Sequence, residues 1–143
     1  MSLWYRVLYG LGSRPWDRAA RRRASAAGVT VDFRRGDVAE LEALGIGDVG
    51  LAFDRGCFHG LPDAARDGYA RGVTAVTRPG ALLLLMAFRG PTGPGLPRGA
   101  SPEEVRGRFG PPWRLVSEAP AQGTPAAARI ERARPTWYRF ERE

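Results

Sequence analysis

Cys57 and His59 are the only cysteine and the only histidine of the chain, and they stand two residues apart. A thiol beside an imidazole is the pairing from which a base-activated sulfur nucleophile is made. On an extended segment residues i and i+2 share a face, which would let the two side chains meet. No third group that would orient the imidazole is evident, so this reading ranks last, and a Cys-x-His at a strand end is also ordinary loop chemistry. One cysteine closes no internal disulfide and builds no zinc site by itself, so no metal is expected. Upstream, Asp54-Arg55 reads on its own residues as a surface ion pair, which contributes little stability. Gly36-Asp37 reads as a turn. Asp54, Arg55, Gly56 and His59 together follow an apolar strand, a place where a sheet can present chemistry.

The elements that must position these residues follow from periodicity. Leu3 to Leu11 has the i, i+3, i+4 spacing of an amphipathic helix, which Gly12-Ser13-Arg14-Pro15 ends. Asp17 caps a second helix, 17–27, closed by Gly28. Val29 to Phe33 alternates and is β-branched, as a strand does. Val38 to Leu44 is a short helical segment, and 48–53 is a second strand. Pro62 opens a long helix to Thr77 with Ala64, Ala65, Tyr69, Val73 and Val76 on its inner side. Pro79-Gly80 is a turn before the continuous apolar run Ala81 to Phe88, the pattern of a strand buried on both faces. Arg89 to Gly99 is a Gly/Pro loop of the length that lids have. Ser101-Pro102-Glu103-Glu104 begins a helix with Ser as N-cap and Pro in its first turn. Strands at 113–119 and 130–140, joined by a flexible connection at 121–127, have no helix between them and form an antiparallel hairpin at the sheet edge. Strands alternating with helices give an α/β sheet in a single domain, 1–143.

The composition narrows the partners. All 22 basic residues are arginines, set against 15 acidic ones, a net charge of +7. The arginines are spread along the chain apart from Arg21-Arg22-Arg23, which falls on a helix and reads as a solvated face. With no zinc-finger, helix-turn-helix or RNA-recognition pattern beside it, no nucleic-acid partner is expected. No apolar run is long enough to cross a bilayer, and the N-terminus lacks a signal-peptide pattern, so a cytoplasmic protein without a membrane partner is expected.

Four stretches, in order, carry a resemblance. They are Trp4-Tyr5-Arg6 with Gly12 to Asp17; Ala26 to Val38; Phe53 to His59 with Leu61-Pro62, continuing through Arg78-Pro79-Gly80 to Phe88; and Trp137-Tyr138-Arg139-Phe140. Together they span nearly the whole chain, which resembles small actinobacterial-type class I S-adenosylmethionine (SAM)-dependent methyltransferases. The resemblance implies a Rossmann-like sheet in the order 3-2-1-4-5-7-6. It also implies cofactor-binding positions at Gly36, Asp37 and Val38, which approach the adenine, and at Asp54, Arg55 and Gly56, which line the methionine side. His59 is the candidate catalytic base.

The chain departs from that family after Asp17. Members there carry the first strand, a glycine-rich loop, a helix and the second strand with its ribose-binding acid. Here Asp17 runs straight into Arg18. On the order of fifty residues are absent, by the usual length of such a strand–helix–strand unit. Gly10-Leu11-Gly12 ends a helix pattern, and Gly45-Ile46-Gly47 precedes its strand, so neither replaces the loop. A truncated fold of about five strands is expected, mostly parallel with the antiparallel C-terminal hairpin. Its third strand either slides beside strand four or pairs across two chains, and the open edge favours a homodimer. The expected function is a SAM-dependent methyltransferase-family protein that has lost independent SAM binding and methyl transfer and serves as a scaffold or in another reaction. The alternative is an active SAM-dependent methyltransferase for a small-molecule acceptor, with its pocket rebuilt across a homodimer.

Overall fold

The computed structural model describes residues 14–34, 36–94, 96–122 and 133–143, which form two compact units, Met1–Val38 and Ala39–Glu143. The expected helix 3–11 and most of the 121–127 connection lie outside the described residues.

In the first unit, helix α1 covers Arg14–Ala26. It begins earlier than Asp17 because Arg14-Pro15 supplies the first turn, where proline's missing N–H costs nothing; Asp17 therefore lies inside the helix and is not its cap. Gly28, at φ +63°, ends it. Val29 N–H reaches back to the Ala24 carbonyl and Gly28 N–H to Ser25, the double closure that a left-handed residue makes possible. The strand expected at 29–33 does not form: Val31 alone is bridged. The Phe33 ring instead lies under the Arg21 guanidinium, 4.6 Å from ring centre to carbon.

The second unit is built on four strands: β1 (Val49–Asp54), β2 (Thr77–Phe88), β3 (Trp113–Pro120) and β4 (Pro135–Arg142). Their order is β1-β2-β4-β3, the 4-5-7-6 half of the sheet that the sequence resemblance implies. Among the described residues the sheet has four strands, one fewer than expected, and it is mixed rather than mostly parallel. Only β1 and β2 are parallel, whereas β4 is inserted between β2 and β3 and runs antiparallel to both. The C-terminal hairpin forms with β3 as the outer strand. Pro79-Gly80, expected as a turn, falls inside β2. The pairing slips there, from Val49 opposite Thr77 to Leu51 opposite Leu82, so the turn residues are absorbed as an irregularity with Gly80 at φ +77°.

Helix α2 (Asp63–Val76) connects β1 to β2. Its buried face is Arg66, Tyr69, Ala70, Val73 and Val76, while Ala64, placed inside by the sequence, is exposed. Gly68 and Gly72 are buried because the segment after Val38 packs against them. A Cβ at Gly72 would stand 2.9 Å from Leu41 Cβ, and one at Gly68 2.8 Å from the Ala39 carbonyl oxygen. Helix α3 (Pro102–Arg108) starts as its sequence dictates, with Ser101 Oγ accepting from Glu104 N–H at 3.1 Å. One sheet face, formed by Ala81, Leu83, Leu85, Ala87, Tyr138 and Phe140, buries an aromatic cluster in which Phe109 lies 5.4 Å from Phe58 and 5.5 Å from Phe140. The other face carries a recess of about 300 Å³ beside the stacked rings of Phe53 and Trp137. At the β1 edge of the sheet Leu51 and Phe53 are each more than half exposed. No helix among the described residues is long and apolar enough to cross a membrane.

Candidate functional site

The C-terminal ends of the parallel pair β1 and β2 are where an open α/β sheet offers a ligand crevice. Here β1 ends in Asp54, and the chain turns sharply into a short 3-10 segment, Phe58–Gly60. Asp54 is buried, at 6% exposure, and its carboxylate is what shapes the turn. Oδ1 accepts from Gly56 N–H at 2.7 Å and Cys57 N–H at 2.6 Å, while Oδ2 accepts from Phe58 N–H at 2.9 Å and the Tyr69 hydroxyl at 2.7 Å. A carboxylate has about four lone-pair positions, so these four donors occupy it fully. The ion pair between Asp54 and Arg55 does not form: Asp54 faces inward and Arg55 is exposed. The physical reason is that three successive backbone amides, freed by the turn, need an acceptor that neither water nor a helix supplies.

His59 is also buried, at 3% exposure. Its ring stacks on Phe88 with centroids 4.3 Å apart, and Nδ1 accepts the Phe88 backbone N–H at 3.1 Å. An acceptor at Nδ1 requires the neutral ring with its proton on Nε2. Burial pushes the imidazole below its ordinary value. The Asp54 charge and a backbone hydrogen bond with Met86 oppose the shift, and the Arg66 charge adds to it. Gly56, at φ +120°, is required by the same packing, because a Cβ there would stand 3.1 Å from His59 Cε1. Cys57 is half-buried with right-handed helical angles. The segment is thus helical, and the extended-chain argument for a Cys57–His59 pair does not hold.

Arg66, which the sequence reading passed over, binds the region together. Its guanidinium, 2% exposed, donates from Nε to the Leu61 carbonyl at 3.0 Å, from Nη2 to the His59 and Gly99 carbonyls at 3.1 and 2.8 Å, and from Nη1 to Glu104 at 2.7 Å. One side chain of α2 therefore fixes the loop after β1, the loop after β2 and α3. The signal was its spacing: Arg66 shares a helical stripe with Tyr69, Ala70 and Val73. The loop after β2 closes on itself where Gly90 meets Gly99. A Cβ at Gly99, φ +76°, would stand 2.6 Å from Gly90 Cα, and Ala100 N–H bonds Phe88 O at 2.8 Å.

The structure thus brings Asp54, Gly56 and His59 together, with Arg55 exposed beside them. Gly36, Asp37 and Val38 belong to the first unit, where Asp37 is exposed and Val38 buried. Among the described residues no cluster of His, Cys, Asp or Glu is placed to hold a metal ion.

No family model and no curated protein matches the chain. Solved structures do. A SAM-dependent methyltransferase from Methanosarcina mazei aligns with a TM-score of 0.71 at 13% identity, over 99% of this chain and 82% of its own. The N-methyltransferase NodS from Bradyrhizobium japonicum, in complex with S-adenosylhomocysteine, aligns at 0.67 with 15% identity, over 96% of this chain and 65% of its own. The 1,6-didemethyltoxoflavin-N1-methyltransferase of Burkholderia thailandensis, with its substrate and S-adenosylhomocysteine bound, aligns at 0.61 with 19% identity, over 96% and 60%. The chain spans less than two thirds of the length of the latter two. At these identities the likeness is one of fold: a truncated Rossmann-like sheet of the methyltransferase type.

Proposed function

We propose that this chain is a methyltransferase-fold module that no longer carries out SAM-dependent transfer on its own and works as an assembly component, as a homodimer joined at its open sheet edge. The observation that carries this reading is the saturation of Asp54. The carboxylate that the family resemblance places on the cofactor's methionine side spends all four acceptor positions on its own turn and Tyr69. His59, the candidate base, is buried, neutral and bound at Nδ1 by a backbone amide. Gly56 is explained by His59. These residues do not fit a SAM site, and the sequence offers no glycine-rich loop or ribose-binding acid to replace what they lack. Each charged hydrogen bond missing from such a site weakens binding by roughly 1.5–3 kcal/mol, and several together move affinity by orders of magnitude. The exposed Leu51 and Phe53 on β1 support the dimer, since an apolar strand edge invites pairing.

Calorimetric titration with SAM and S-adenosylhomocysteine, up to millimolar concentration, tests the first half, and sedimentation equilibrium the second. No heat together with a dimer is expected. Micromolar binding of SAM would refute the loss of function and restore the second reading, an active transferase for a small-molecule acceptor. A monomer at all concentrations would refute the assembly role.

A further inference from the structure

On the sheet face opposite the aromatic core, the ladder sets four side chains in one cross-strand row. Phe53 stands opposite Leu84, Leu84 opposite Arg139, and Arg139 opposite Ser117. All four line the recess of about 300 Å³, with Trp137 and Ala119 from the next row. Pockets that hold small molecules begin at about that volume. The two ends of the row differ in chemistry. At the β1 end Phe53, 53% exposed, stacks on Trp137 with centroids 5.6 Å apart. At the β3 end are Arg139 and the Ser117 hydroxyl, both exposed. Most arginines of this unit are met by carboxylates: Arg66 and Arg108 by Glu104, Arg89 and Arg106 by Glu118, Arg114 by Glu141. Arg139 has no carboxylate partner among the described residues, and Glu141, two residues on along the same face, is already engaged by Arg114 at 2.6 Å.

We infer that this recess binds a small aromatic acid, one or two fused rings bearing a carboxylate, with the ring over Leu84 against the Phe53–Trp137 pair and the carboxylate on Arg139 and Ser117. Three features select this occupant. Aromatic faces favour another ring, offset or edge-on, over an aliphatic chain. A guanidinium fork matches a carboxylate bidentately and repels an aromatic amine. Phe53 and Arg139 are two strands apart, about 10 Å between backbones, which a ring system and its carboxylate can bridge. A second copy packed face to face is disfavoured here, because a two-fold contact would bring the same row against itself, and that row holds no carboxylate for Arg139. Asp54 turns to the opposite face, toward Tyr69, so the recess owes nothing to the candidate site after β1 and stands whether or not transferase activity is lost.

The test is calorimetric titration of the full chain with 2-naphthoate, with its neutral alcohol 2-naphthylmethanol and with cyclohexanecarboxylate, each up to about 5 mM, since a ligand of this size binds at about 1 mM or tighter in a fitting pocket. Saturable binding of naphthoate is expected, with the alcohol and the aliphatic acid each weaker by about threefold or more. Arg139→Gln should weaken naphthoate by about fivefold and leave the alcohol unchanged, so that the preference between the two disappears. Phe53→Ala should weaken both aromatic ligands by about threefold or more. Should that variant melt early, Phe53→Leu keeps the apolar bulk and removes the ring. Leu51→Ala, equally exposed on β1 but outside the recess, should leave binding within about twofold of wild type. No binding of naphthoate, binding that survives both Arg139→Gln and the loss of the Phe53 ring, no preference for the acid over the alcohol, or an equal loss in Leu51→Ala would each overturn the inference.

Discussion

Replacing Asp54 by Asn isolates the group on which the turn after β1 depends. The side chain keeps its size but loses its charge and turns one acceptor into a donor. If the amide nitrogen takes the place of Oδ1, it confronts two backbone donors, Gly56 and Cys57; at Oδ2 it confronts Phe58 N–H, while the Tyr69 hydroxyl can rotate to accept. The second arrangement is cheaper. It breaks one charge-assisted bond, leaves a buried N–H without a partner and weakens the remaining two. At about 1.5–3 kcal/mol for a bond to a charged group and 1–3 for an orphaned buried one, the net cost is about 3–5 kcal/mol. That is a large part of the 5–15 kcal/mol that holds an ordinary domain together. For a chain of this length each kcal/mol moves the melting midpoint by roughly 2–4 °C, so a fall of roughly 6–20 °C is expected by calorimetry. Tyr69→Phe removes only the fourth bond and should cost about 1–2 kcal/mol. The double variant should cost less than the sum, because both substitutions act on the one contact between positions 54 and 69. A destabilisation below about 0.5 kcal/mol in Asp54→Asn would mean that the carboxylate does not organise the turn, and would reopen a ligand role for Asp54.

Three further outcomes follow from the same geometry. His59 titrates below its ordinary value when folded, so the unfolded chain takes up the proton first; its contribution to stability is complete above the ordinary histidine value near 6.5 and is lost as pH falls below it. Urea titrations between pH 7.5 and 5 should show that slope in the wild type and a flatter one in His59→Gln, and equal slopes would contradict the buried neutral ring. Gly99→Ala puts a Cβ 2.6 Å from Gly90 Cα at a left-handed residue and should cost about 2 kcal/mol or more, whereas Gly93→Ala, with open space around it, should be within about 0.5 kcal/mol of wild type in the same denaturation assay. Ser101→Ala deletes the cap of α3 and should cost about 1 kcal/mol; no change would mean that solvent serves Glu104 N–H equally well.

What could be read in advance was what is local. Ser101-Pro102 marked the start of α3 and the apolar run 81–88 marked β2, whereas the sheet formed with one strand fewer among the described residues than the motifs led one to expect. Val29 to Phe33 had the pattern of a strand but not the fate of one, because a ladder needs partners that no local pattern provides. Pro79-Gly80 was read as punctuation, yet pairing with β1 carried β2 through it. At the site, the sequence pointed to the right turn and gave its residues the wrong employment. Asp54 looked like a surface charge because its acceptors are filled by amides that come into place only when the turn closes, although an Asp shortly before a Gly is a known cue for such a turn. His59 looked like a loop residue or a catalytic base because its cover, Phe88, lies on another strand. Arg66 escaped notice because an arginine on a helix is usually solvated, and its partners come from three separate segments.

The meeting of Gly90 and Gly99 has a consequence for anyone who would rebuild this protein. Since the two glycines touch, everything between them begins and ends at nearly the same point, and the rest of the unit registers only that point. The cost of a longer excursion grows only with the logarithm of its length. A peptide epitope, a fluorophore tag or a recognition loop spliced in place of Thr92 to Pro97 should therefore leave β2 and α3 in register, so long as both glycines are kept. The pinch is a ready-made graft site at the end of the sheet.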